Sequence, residues 1–173
     1  MRTITLGPEG TYSHRAATAV SESVEFTESV SAIVGAVADG EYDRGVVPIE
    51  NSIEGGVTES LDALADHDVA VVREVVTPIN HSLIAQGEDF DTVASHPQAL
   101  AQCRSYLAEN YPDAEQEAVA STARGVELAR EDPSIAGIAH PDNAGDDLVV
   151  LAEEIQDRAS NATRFFVIAS PEE

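Results

Sequence analysis

Short apolar runs rich in β-branched residues alternate with helical patterns along the whole chain, and this alternation restricts the fold more than any other feature. The runs that read as strands are Thr3–Leu6, Val24–Thr27, Arg44–Pro48, Ala70–Val76, His81–Gln86, Thr92–Ser95, Glu117–Ala120, Ile135–Ala139, Val149–Ala152 and Arg164–Ala169. The helical patterns cover Ser13–Ser21, Val30–Ala38, Val57–Ala65, Pro97–Asn110, Thr122–Arg130 and Pro141–Asp146. Such alternation argues for an α/β architecture with largely parallel sheets. Ser121 or Thr122 can cap the helix that runs to Arg130, and Pro97 suits the first turn of the helix it opens. Ala99, Leu100, Cys103 and Leu107 fall at helical spacing, so Cys103 reads as a core residue.

High β-propensity is sustained from Val69 to Ala85, broken near Pro78–Asn80. That is long for one strand, which averages about 5–6 residues. A segment that leaves one sheet and enters another accounts for the length. The last apolar run, Asn161–Ser170, then returns to the first sheet. The expectation is two α/β lobes: residues 1–78 with 161–173, and an inserted lobe of residues 79–160. The cleft between such lobes is the default ligand site.

Charge excludes several classes of function. The 173 residues carry 32 Asp+Glu against 9 Lys+Arg, a formal net charge of −23. Such a polyanion is repelled by nucleic-acid phosphates and by anionic membrane surfaces. All nine cations are arginine. Schiff-base chemistry on a lysine and a Gly-Lys-Thr phosphate loop are therefore excluded. An acidic chain without lysine fits a salt-rich cytoplasm, where molar ions screen the repulsion among carboxylates. The start Met-Arg-Thr-Ile-Thr-Leu-Gly is too short and polar for a signal peptide, and no apolar run reaches the ~18 residues of a membrane span. The single cysteine, Cys103, matches no zinc spacing, and His14, His67, His81, His96 and His140 are scattered along the sequence without an HExxH pair. A cytoplasmic protein without a structural metal is expected.

Four segments carry chemistry. Gly7-Pro8-Glu9-Gly10-Thr11-Tyr12-Ser13-His14 follows a strand and opens a helix, where backbone N–H groups attract anions. It is not GxGxxG, so a dinucleotide is not expected. Val46–Gly56 ends an apolar strand at Pro48 and releases Glu50, Asn51 and Ser52 at its carboxyl tip, the usual position of ligands in open α/β sheets. Ser95–Cys103 again places a hydroxyl at a strand tip before a helix, with Gln102 one turn in. His96 can titrate near neutrality, but reads first as a helix cap. Ser121-Thr122 repeats the strand-tip hydroxyl. Asn161–Ile168 sets Thr163 and Arg164 at the start of an apolar strand, where Arg164 wants an anion: a substrate or one of the many carboxylates.

Taken together, GPEGTYS (7–13), VPIENSIEGG (47–56), SHPQALAQC (95–103), STA (121–123) and NATRF (161–165) resemble the prephenate dehydratases in order and spacing, over essentially the whole chain. The stretch AHPDNAGDD (139–147) departs from the family's alanine-rich pattern there. The resemblance implies two α/β lobes similar to type II periplasmic binding proteins, with a cleft between them. It further implies a cytoplasmic homodimer or homotetramer that works without a cofactor. The family converts prephenate to phenylpyruvate in L-phenylalanine biosynthesis. Its regulatory ACT domain and chorismate mutase helix are not expected among these residues. The family's essential threonine falls on Thr163, and its other site residues on Glu50, Asn51, Ser95, Gln102 and Arg164. Thr11, Ser13, Ser52, Ser121 and Thr122 are then expected to line the substrate site. Thr163 is the expected donor to the departing hydroxyl, helped by Ser95, Asn51 or Gln102, with Glu50 as the alternative acid. Two other readings remain: an arogenate dehydratase, or a non-enzymatic two-lobe binder or sensor.

Overall fold

The computed structural model describes residues 1–171. The first half of the chain forms β1 (Thr3–Leu6), α1 (Tyr12–Thr18), β2 (Val24–Thr27), α2 (Val30–Ala38), β3 (Arg44–Asn51), β4 (Gly55–Gly56), α3 (Thr58–Asp66), β5 (Ala70–Pro78) and β6 (Ser82–Ala85). The second half forms β7 (Thr92–Ser95), α4 (Pro97–Gln102), α5 (Arg104–Asn110), β8 (Glu115–Ala118), α6 (Thr122–Glu131), β9 (Ile135–Ala139), a 3₁₀ turn over Pro141–Ala144, β10 (Val149–Ala152) and β11 (Ala162–Ala169). The elements group into two compact units: Met1–Ile79 with the chain from Ser160 onward, and Asn80–Ala159.

The first unit holds a sheet of order β2-β1-β3-β11-β5, with β4 paired to β3. β1 pairs β2 and β3 in parallel, while β11 lies antiparallel between β3 and β5. One face packs on α1 through Ala16, Ala17, Val46, Phe165 and Val167. The other packs on α2 and α3 through Val30, Ile33, Val34, Val47, Ile49, Ala63 and Ile168. Val30, Ile33, Val34 and Val37 recur at helical spacing, which gives α2 its buried stripe. Ser29 caps that helix by accepting the Ala32 N–H at 3.2 Å.

The second unit holds a sheet of order β10-β6-β9-β7-β8, in which β7 is parallel to β8 and β9, and β6 is antiparallel to β9 and β10. Both sheets are thus mixed rather than largely parallel. The strands that leave and re-enter a unit run against their neighbours, so they need no helical crossover.

Several boundaries differ from the pattern in the sequence. The long helix expected over Pro97–Asn110 breaks at Cys103, where φ and ψ reach −110° and 15°. The Gln102 carbonyl accepts the Asp157 N–H at 2.7 Å, so it is diverted from the helical ladder. β8 starts and ends two residues earlier than its β-propensity indicates, because pairing with Thr92–Ser95 sets its register. β3 runs past Pro48 to Asn51, since a bulge lies beside the proline and the strand tip pairs both β4 and β11. The Pro141–Asp146 pattern shortens to a 3₁₀ turn that ends at Gly145, φ 59°.

Close backbone approach seats α6 on its sheet. A Cβ at Gly125 would collide with the Ala94 carbonyl oxygen, and one at Gly137 would lie 2.8 Å from the Val126 nitrogen. Gly125→Ala therefore has to lift α6 off β7, which overpacking values put at about 1–3 kcal/mol of lost stability. Gly87→Ala, whose Cβ enters open space, is the control and leaves the denaturation midpoint nearly unchanged. Equal midpoints for both variants would remove the close-packing argument.

Candidate active site

In the first unit the site is built on the tips of β3 and β11. The alternation of β11 sends Phe165 and Val167 to the α1 face, and Phe166 and Ile168 to the α2 face. Thr163 falls on the α1 face and Arg164 on the other. The pairing of β3 with β11 slips by one residue between Arg164 and Phe165, where Glu50 and Pro48 oppose them, so Ile49 is a bulge residue. Without it Asn51 would follow Val47 and Ile49 to the α2 face. With it, Asn51 stands opposite Thr163 and shares its face.

The two side chains meet. Asn51 Nδ2 donates to Thr163 Oγ1 at 2.9 Å. The Asn51 amide cannot turn over without loss, because its Oδ1 accepts the N–H groups of Ile53 at 2.9 Å and Glu54 at 3.1 Å. The threonine oxygen is thereby an acceptor toward Asn51, and its own proton is directed elsewhere.

Other residues expected in the site have structural partners. Ser52 Oγ accepts the Ala162 N–H at 2.9 Å and donates toward Asn161 Oδ1 at 3.2 Å, which ties the end of β3 to the start of β11. Arg164 donates through Nε to Glu74 at 3.0 Å and reaches Glu50 at 3.4 Å. Glu50 and Arg164 thus form an exposed ion cluster on the face opposite Thr163, because adjacent strand residues point to opposite sides. Thr11 caps α1, accepting the His14 N–H at 3.2 Å and donating to the Pro8 carbonyl at 3.0 Å. The Gly10 N–H goes to His14 Nδ1 at 3.0 Å, a partnership absent from the sequence reading. Ser13 sits half-buried in the first turn of α1.

In the second unit the candidates gather at one end of the sheet. Ser95 is fully buried at the tip of β7, and its hydroxyl donates to the Ile138 carbonyl at 2.6 Å. Its proton is therefore committed to β9, and Ser95 can offer a ligand only an acceptor. His96 caps α4 through Nδ1, which accepts the Gln98 N–H at 3.2 Å. His140 does the same at the end of β9, accepting the Asp142 N–H at 3.1 Å. The echo of Ser-His-Pro (95–97) in Ala-His-Pro (139–141) was the visible signal for this pair. Ser121 caps α6 with the Arg124 N–H at 3.0 Å, and Thr122 occupies its first turn.

Gln102 closes α4, and its Oε1 lies 2.8 Å from Nε2 of His81, a residue that sequence reasoning missed. His81 is 3% exposed and immediately precedes β6. Nothing in the sequence distinguishes it from a core-edge histidine. Its antiparallel partner strand β9 ends at Ala139 opposite Ser82, so His81 and His140 belong to the same end of the sheet. Cys103, beside Gln102, is buried, and burial with Asp157 nearby pushes its thiol up to about 12. That is a core thiol with no nucleophilic role. Among the described residues no group of three His, Cys, Asp or Glu side chains is arranged to hold a metal ion.

The prephenate dehydratase family profile matches residues 3–173. This chain belongs to that family. It is 40% identical, over 97% of its length, to a prephenate dehydratase of Lactococcus lactis, and spans 63% of that relative. A prephenate dehydratase from Arthrobacter aurescens, solved in complex with L-Phe, superimposes with a TM-score of 0.89 at 34% identity. That match covers 99% of this chain and 61% of the other. A lipoprotein from Bacillus subtilis named for methionine binding shares the fold at a TM-score of 0.50 and 10% identity, over 98% of this chain and 83% of its own. The architecture is thus common to prephenate dehydratases and to solute-binding folds, and catalytic chemistry has to come from the residues placed on it.

Burial lowers the pKa of His81 from its ordinary value, against an upward effect of the Gln102 hydrogen bond. The unfolded chain takes up this proton near pH ~6.5, and the folded chain resists it. The stability His81 contributes is therefore complete above about pH 6.5 and is lost as pH falls toward the lowered folded value. Melting temperature should drop more steeply from about pH 7.5 to about 5.5 in the native protein than in His81→Gln, whose amide does not titrate. Parallel profiles would show that His81 carries no such linkage.

Proposed function

We propose that the chain catalyses the conversion of prephenate to phenylpyruvate, in the cytoplasm and as a step of phenylalanine biosynthesis. The observation that carries this reading is the direction of the Asn51–Thr163 hydrogen bond in a member of this family. In the reaction the bond from the ring to its carboxylate breaks and carbon dioxide leaves. The electron pair enters the ring, and the bond to the ring hydroxyl breaks with its pair on oxygen. One proton then makes water. The ring becomes aromatic, so no external electron sink is required, and no cofactor is invoked.

The protein has to assist the leaving hydroxyl. Thr163 is proposed as the donor, because Asn51 already fills one of its acceptor positions and leaves its proton for a ligand. A threonine is too weak an acid to act in water, so its value lies in fixed geometry aimed at developing negative charge. In the second unit Gln102 is the proposed amide donor. Ser121, Thr122 and the first turn of α1 with Ser13 are proposed to hold substrate oxygens through hydroxyl and N–H groups. Glu50, Ser52, Ser95, Arg164 and Thr11 are proposed to act through the backbone and ion-pair contacts described above, supporting the strand tips.

A homodimer is also proposed. β5 is a nine-residue strand at the edge of its sheet, with Val71, Val72 and Val76 about half exposed. A long apolar edge invites pairing with another strand. Within Ala70–Pro78 the charges are Arg73 and Glu74, so the strand is neutral in a chain of formal charge −23. That makes it a place where a second acidic copy can approach.

Three measurements bear on these proposals. Thr163→Ala should lower turnover of prephenate by about 10²–10³, the loss typical of a donor aimed at developing charge, with KM and melting temperature little changed. Thr163→Ser should retain part of the activity. Unchanged turnover in Thr163→Ala would end the assignment. Asn51→Asp is nearly isosteric and keeps both acceptor contacts to Ile53 and Glu54. Its carboxylate, however, must accept from Thr163 and so turns the proton away from the ligand. We expect a loss close to that of Thr163→Ala without unfolding, and native turnover in Asn51→Asp would refute the proton direction. Parallel incubation with arogenate separates the two dehydratase readings, and binding without turnover of either compound would favour a sensor.

The salt-rich setting is tested by ionic strength. The Debye length grows from about 3 Å at molar salt to about 10 Å at 0.1 M, so repulsion among the carboxylates strengthens as salt is removed. The expected result is a fall in melting temperature and activity on going from molar KCl to about 0.1 M. A constant melting temperature would exclude the salt requirement.

A further inference from the structure

We propose that His81 is a positioning residue that fixes the orientation of the Gln102 side-chain amide, and so decides which of its two ends a ligand meets. The inference rests on the placement of Gln102 in the substrate site proposed above. Gln102 Oε1 faces His81 Nε2 at 2.8 Å. An amide oxygen has no hydrogen, so this contact requires the hydrogen on His81 Nε2. The neutral ring in that tautomer donates, Gln102 accepts, and the planar amide turns its NH₂ to the side away from His81. With the amide reversed, its NH₂ would oppose the protonated Nε2, donor against donor, unless His81 changed tautomer.

The surroundings hold both partners at fixed separation. The His81 N–H donates to Gln156 Oε1 at 2.9 Å, and the His81 carbonyl accepts the Ile155 N–H at 2.9 Å. The Gln102 carbonyl accepts the Asp157 N–H at 2.7 Å. Three successive residues, Ile155 to Asp157, thus tether the start of β6 and the end of α4. The same carbonyl diversion ends α4 at Gln102, which places the amide at the terminus of the helix instead of along its side. His81 is 3% exposed, so water does not compete for its ring as it would at the surface. A neutral imidazole also suits this place, since burial opposes its protonation. The consequence is chemical: Gln102 is presented as a donor to the oxygen-rich ligand, in keeping with carboxylate and hydroxyl groups as its partners.

The test combines a spectroscopic readout with kinetics. Nitrogen-15 NMR of the ligand-free protein should find His81 protonated on Nε2 and bare on Nδ1 at neutral pH. The opposite tautomer overturns the proposal, whether or not prephenate is a substrate. In kinetics, His81→Leu removes the donor that the Gln102 amide oxygen meets. It should lower kcat/KM for prephenate about tenfold, the scale of one hydrogen bond. Gln102→Leu should do the same, and the double variant should lose no more than either alone, because the two act as one unit. His81→Gln carries an NH₂ near the position of Nε2 and should recover most of what His81→Leu loses. Additive losses in the double variant, or no recovery in His81→Gln with a native melting temperature, would refute the coupling. If His81→Leu fails to fold, the tautomer and the His81→Gln comparison still decide. Absence of turnover in the native protein would count against the proposed reaction while leaving the tautomer result to judge His81.

Discussion

The register of β11 against β3 is the constraint on which the first unit's chemistry depends. β11 comes from the end of the chain and lies between β3 and β5, so its side chains fill both faces of that sheet. One slip of one residue, at Ile49, aligns Asn51 with Thr163 on the α1 face while Val47 and Ile49 stay in the core on the α2 face. Remove that bulge and the apolar pattern of β3 would carry Asn51 to the α2 face, away from Thr163. The bulge thus reconciles a strand that must bury its valines with a tip that must show an amide. Pro48 sits beside it, where the missing N–H does least harm to the ladder.

Elements and their order were legible because apolar periodicity reports burial, and burial here follows regular strands and helices. Thr3–Leu6, Val24–Thr27 and Ile135–Ala139 match the residues that pair in the sheets. Side-chain partnerships were less legible. Nothing local distinguishes the Asn51 tip as a bulge product, since the slip exists only relative to β11, 112 residues away in sequence. The same holds for His81, whose side-chain partner Gln102 lies 21 residues further along the chain. The break at Cys103 was hidden for a third reason: helical spacing of Ala99, Leu100, Cys103 and Leu107 continues through it, while a distant N–H at Asp157 takes the carbonyl. A motif names a set of residues, but it does not say which of their polar groups face a ligand. Ser95 and Thr11 direct their hydroxyls to backbone carbonyls, and Ser52 engages the Ala162 N–H and the Asn161 side-chain oxygen.

Those backbone partners have a function of their own. Where a strand or a helix ends, backbone groups run out of regular partners, and side chains can take their place. Ser52 does this for β3 and β11, Ser95 for β7 and β9, and Thr11, Ser121 and His96 do it for three helix starts. Fixed tips allow weak donors to act, because a donor already in place undergoes no reorganisation when charge develops near it. Side chains spent on holding these ends therefore support the donor roles proposed for Thr163 and for Gln102, each in its own unit.

The placement of charge follows the same logic. Arg164 is adjacent in sequence to Thr163, yet its guanidinium is engaged by Glu74 and Glu50 on the opposite face. Such exposed pairs contribute little to stability in themselves. They hold the Arg164 charge on the face opposite Thr163. A reaction that expels carbon dioxide destroys a carboxylate charge in its transition state. A cation fixed on that carboxylate would stabilise the ground state more than the transition state and raise the barrier. A neutral donor, the role proposed for the Thr163 hydroxyl, does the reverse at the leaving oxygen, where charge appears. Strand alternation alone, by sending residues 163 and 164 to opposite faces, separates the proposed donor from the arginine charge.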